Sequence, residues 1–103
     1  MSEEAFSKKE LTILAARARG LEERNGCWDE FRNCYSYCTE GCGVFKTEWN
    51  PLKRDYQAFD LAVHLGIHIF SPDLPEYHNG GDVHAAVRRE IVKAAAEIGR
   101  NIK

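Results

Sequence analysis

Cys27, Cys34, Cys38 and Cys42 fall within one short stretch of the chain. Thiolates can bind zinc, exchange disulfides or act as nucleophiles, and spacing and compartment decide among these. The order Cys27-x6-Cys34-x3-Cys38-x3-Cys42 lacks the two close pairs, separated by a longer loop, that four-thiolate zinc sites use. On a strand, Cys34, Ser36 and Cys38 would share one face, and Tyr35 and Tyr37 the other. The expectation is reduced thiols, buried or partly exposed, with no required cofactor. Zinc held by Cys27, Cys34, Cys38 and Cys42 is the weaker alternative.

The other reactive residues assemble less well. His64 and His68 have the spacing of two ligands on one helix face, but Gly66 interrupts the helix between them and no HExxH context surrounds them. His78 and His84 flank a glycine-containing loop. Asn79-Gly80-Gly81-Asp82 precedes a helix, yet it lacks a phosphate-binding pattern and puts the Asp82 charge where an anion would sit. None of Ser2, Ser7, Ser36 and Ser71 lies in a GxSxG or SxxK motif. With no nucleophile, base and oxyanion donor in view, the expectation is a protein that is not an enzyme and has no catalytic residues.

Aromatic residues gather where the cysteines do: Trp28, Phe31, Tyr35, Tyr37, Phe45 and Trp49. Trp28, Phe31, Phe45 and Trp49 fit a core, and the tyrosines fit a surface. A small domain is short of room for all six. Tyr and Trp anchor protein interfaces, so Trp28, Tyr35 and Tyr37 are the residues expected to meet a partner.

Three helices must position these groups. Ser7-Lys8-Lys9-Glu10 is a capping box, flanked by Phe6 and Leu11 as a hydrophobic staple. Leu11, Leu14, Ala15 and Ala18 continue as an apolar stripe, and Gly20 ends the helix. Asn50-Pro51 predicts a second helix start. Its stripe is Ala58, Leu61, Ala62 and Leu65, widened by Phe59 and Val63, and Gly66 closes it. Asp82 caps the third, with Val83, Val87, Ile91, Ala94, Ile98 and Ile102 along one face. Its Ala94-Ala95-Ala96 run allows close approach of another layer. Arg88, Arg89 and Lys93 read as its solvated side. Two strands joined near Thr39-Glu40-Gly41, and a further strand at Ile67–Phe70, complete the pattern. Residues 72–81 read as a loop. The expected fold is α+β, a small sheet of hairpin plus one strand packed with three helices like a sandwich, in the order α-β-β-α-β-α.

Composition bounds the rest. The 103 residues carry 14 Lys+Arg against 16 Asp+Glu, a net charge of -2, and 44% are hydrophobic. That suits a single domain spanning residues 1–103 and excludes a disordered chain. The acidic balance argues against a protein that coats nucleic acid, leaving only weak support for a nucleic-acid partner through the basic side of the third helix. No apolar run is long enough to span a membrane. The first ten residues lack the apolar core of a secretory signal, so a reducing cytoplasm is expected.

Trp49-Asn50-Pro51-Leu52, the helix through Leu61-Ala62-Val63 and Leu65-Gly66-Ile67, and the closing Ala94-Ala95-Ala96-Glu97-Ile98-Gly99 together resemble a family of short proteins from phages and prophages of enteric bacteria. The likeness is strong over the last half of the chain. Family members carry an acidic, glycine-containing stretch after WNPL, where this chain has Lys53-Arg54-Asp55-Tyr56-Gln57. The resemblance implies a helix–sheet–helix sandwich and an accessory gene product working in the host cytoplasm. It brings no catalytic residue. The expected function is binding of a host or phage macromolecule, in host takeover or anti-defence. The alternative is a zinc-stabilised adaptor or nucleic-acid module.

Overall fold

The computed structural model describes residues 6–38 and 46–102. Helix α1 (Lys8–Arg19) starts at the capping box: the Glu10 amide donates to Ser7 Oγ at 3.1 Å, and the Ser7 amide donates to Glu10 Oε1 at 2.9 Å. It ends at Gly20, whose φ of 85° is left-handed and natural for glycine. A single 3-10 turn, Leu21–Arg24, leads into strand β1 (Cys27–Asp29). Gly26 sits at that junction because a methyl there would lie 2.6 Å from both the Leu21 carbonyl oxygen and the Tyr35 hydroxyl.

The sheet has the order β1-β2-β3 and is antiparallel throughout, with β2 at Cys34–Cys38 and β3 at Lys46–Trp49. Between β1 and β2 the Asp29 carboxylate accepts from the amides of Phe31 and Arg32, which fixes a tight turn. Register pairs Trp28 with Tyr35 and Tyr35 with Trp49, so these three aromatics share a face. The expected junction at Thr39-Glu40-Gly41, together with Cys42 and Phe45, lies outside the described residues.

Asn50 does not cap the second helix. Its carbonyl accepts from the amides of Lys53 and Arg54, making a reverse turn, and α2 (Asp55–Leu65) begins afterwards. Gln57 closes this corner: its side chain accepts from the Asn50 amide and donates to the Glu48 carbonyl. A buried amide can hold both ends of a turn this way because it is donor and acceptor at once. Gly66 ends α2 in the left-handed region, as its sequence position suggests.

Ile67–Phe70 forms no strand. Ile67 and Ile69 pack on the core while His68 and Phe70 are exposed, so the segment has the alternation of a strand without a ladder partner. Within the expected loop a short helix, α3 (Pro75–Asn79), forms before α4 (Val83–Arg100). Asp82 caps α4 by accepting from the Ala85 amide at 3.0 Å.

One core cluster draws Ala15, Ala16 and Leu21 together with Tyr35, Trp49, Leu61, Val92 and Ala95. At Gly99 α4 lies directly against the α1 backbone, where a methyl would run into the Leu14 carbonyl. Phe59 and Val63 do not widen the buried stripe of α2; they are 70% and 64% exposed. The chain is therefore α+β, a three-stranded sheet covered by helices. No helix among the described residues is long and apolar enough to cross a membrane.

Candidate binding cleft

The WNPL turn divides its residues between the core and the surface. Trp49 and Pro51 are buried, and Trp49, Asn50 and Leu52 line a cleft of about 530 Å³ between α1, the β1–β2 end of the sheet and the start of α4. Arg88 Nε donates to the Leu52 carbonyl at 2.9 Å and ties this turn to α4. A larger groove of about 1000 Å³ adjoins the cleft, sharing Lys8, Leu52 and Arg89 with it and reaching Phe6 and Arg100 at its far end. Its floor is apolar, formed by Leu11, Leu52, Ile69 and Ala94.

Cations ring both hollows. Arg89 is held between Glu76 and Glu90, each at 3.0 Å. The pairing pushes the Glu76 carboxyl below its ordinary range and the Arg89 guanidinium above its own. Lys9 binds Glu30 at 2.7 Å and lies 5.6 Å from the centre of the Trp28 ring. Lys8 and Lys53 line the cleft and form no ion pair among the described residues. Of the described residues lining the smaller cleft, none is Asp or Glu. Two exposed ammonium groups thus border this cleft with no ion-pair partner among the described residues, an arrangement that attracts anions.

The residues expected to meet a partner are placed unequally. Trp28 is half-buried and lines the cleft; its indole Nε1 is closed to solvent and finds no acceptor among the described residues. Tyr35 is only 2% exposed and meets Trp49 edge to face, with ring centres 5.9 Å apart, so it belongs to the core. Burial pushes its phenol up to about 12. Tyr37 is half-buried against the same cluster. Phe31, expected in the core, is 100% exposed on the β1–β2 turn.

The three thiols among the described residues do not come together. Cys34 and Cys38 are buried and Cys27 is exposed. Burial raises the Cys34 thiol above its usual value, and the Glu48 charge adds to the effect. Cys34 and Cys38 stand four residues apart on one strand, roughly 13 Å at strand rise, which is too far for one tetrahedral ion with Zn–S bonds of about 2.3 Å. Among the described residues no group of three His, Cys, Asp or Glu could hold a metal. His78 Nε2 lies 2.7 Å from the Pro72 carbonyl oxygen, and His84 is 3.5 Å from Asp55. Asp55 also accepts from Arg88 at 2.6 Å, which lowers its carboxyl and joins α2 to α4 at the surface.

Lys8, Lys53 and Arg89 escape a reading along the chain because each has a local explanation, as helix start, turn and solvated helix side. Only the fold brings them to one hollow. No family model matches this chain, and neither the curated proteins nor the solved structures include one that matches it.

Proposed function

We propose that this chain is a small accessory protein of the phage or prophage type that works by binding a host or phage macromolecule, with the cleft and adjoining groove as its contact surface. The observation that carries this reading is Lys8 and Lys53, which border a cleft with no Asp or Glu among its described lining, beside an apolar-floored groove whose carboxylates Glu90 and Glu97 are paired with Arg89 and Arg100. Ammonium groups left over apolar surface gain most from a partner that supplies the missing charge. Trp28 in the cleft wall adds the residue type that anchors interfaces.

The test is affinity capture from host cells with tagged protein, run beside a Lys8→Glu/Lys53→Glu variant. One dominant partner that is retained by the parent and lost by the variant supports the proposal. Equal recovery by both proteins, or background only, refutes it. Circular dichroism should show both proteins equally folded, since the two lysines are exposed.

A further inference from the structure

We infer that the occupant of the cleft and groove is an acidic peptide segment of a partner protein that also carries apolar side chains. This deepens the preceding proposal and rests on it for the location of the contact surface. The chemistry follows from what the two hollows offer together. The Lys8 and Lys53 ammonium groups call for carboxylates. Leu11, Leu52 and Ile69, in the floor of the same continuous depression, call for aliphatic side chains. The carboxylates of the larger groove are already engaged, Glu90 by Arg89 and Glu97 by Arg100, so they do not oppose an incoming anion as free charges would.

The same residues speak against a nucleic acid. Single strands are held by bases stacking on open aromatic faces along a basic track. Here the Phe6 ring is covered by Arg100 at 5.9 Å and the Trp28 ring by Lys9 at 5.6 Å. The other two aromatic residues of the lining, Tyr35 and Trp49, are buried in the core, so none of the four offers an open face among the described residues. The chain's net charge of -2 gives no overall attraction for a phosphate backbone.

The experiment is fluorescence anisotropy with the full chain and a labelled peptide of alternating Glu and Leu. Controls are the same peptide with Gln for Glu, the same with Ser for Leu, and a labelled oligothymidylate. The Glu-Leu peptide should bind at low salt and weaken as salt rises. Lys8→Glu/Lys53→Glu should weaken it at least about tenfold. Both peptide controls should bind less well than the parent peptide.

No binding of the Glu-Leu peptide, binding indifferent to the lysine variant, or equal binding of the Gln peptide would overturn the inference. Preferential binding of the oligothymidylate would replace the peptide by a nucleic acid. The two proposals fail separately. If cell capture yields a partner lost in the lysine variant while the Glu-Leu peptide does not bind, the contact surface stands and the acidic segment falls. If capture yields background and the peptide binds through the lysines, the chemistry of the site stands and the cellular role falls.

Discussion

Helix α1 takes part in two very different surfaces. Along its middle it meets α4 in a seam of small residues, with Ala15, Ala16, Ala95, Ala96 and Gly99 all buried and the Leu14 backbone against Gly99. At its first turn Lys8 and Lys9 face hollows that stay open. The seam satisfies its own packing and has nothing to offer a partner. The cleft leaves Lys8 and Lys53 without an ion-pair partner among the described residues. Close packing stabilises the fold, whereas unmet polar demand is better suited to recognition.

Substitutions should separate the two. The largest effect is expected at Leu61, fully buried beneath the seam and absent from the cleft lining: Leu61→Ala should cost about 2–5 kcal/mol in urea unfolding. In the anisotropy assay the fraction that remains folded should bind normally. Gly99→Ala comes next, at about 1–3 kcal/mol, because its methyl can be accommodated only by moving the helices apart. A Gly99→Ala protein as stable as the parent would show that the seam is looser than described.

At Trp28 the sign should reverse. Trp28→Phe removes a buried donor that has no acceptor among the described residues, so the unfolding free energy should rise by about 1 kcal/mol or less, while peptide binding weakens. A destabilised Trp28→Phe protein would move Trp28 from the cleft side of the comparison to the core side.

The smallest effect is expected on acidification. The folded-state carboxyls of Asp55 and Glu76 lie below their ordinary values of 3.8 and 4.5, held there chiefly by Arg88 and Arg89. Their contribution is complete above those ordinary values and is lost as pH falls through the lowered ones. Unfolding midpoints should therefore decline on the acid side, and Arg89→Met should flatten the Glu76 part of that decline.

What the sequence discloses and what it conceals follow the range of the interactions. Ser7 with Glu10, Gly20, Gly66 and Asp82 are legible because each cap is completed within a few residues. Ile67–Phe70 misleads for a definite reason: alternation reports burial on one side, and here the burial occurs without backbone pairing. β1 is hard to see because three residues are too few to show a period. Asn50 resembles a helix cap, but a distant choice, Gln57 bonding back to the strand end, uses it as a turn. The shared face of Cys34, Ser36 and Cys38 is readable from spacing, whereas the depth of Tyr35 and the exposure of Phe31 depend on which helices cover the sheet. The lysines of the cleft are the least legible of all, since their grouping exists only after folding.

The glycine contact at Gly99 has a further consequence for dynamics. With no side chain between α4 and the α1 backbone, the two helices cannot slide past each other without a clash, so amides on both sides of the contact should be among the last to exchange with deuterium. The α4 wall of the groove is therefore set before any ligand arrives. The turn at residues 30–33, held by the Asp29 carboxylate, bounds the smaller cleft through Asn33. A partner segment would therefore meet walls ordered in advance, and little of the binding free energy would go into ordering this chain.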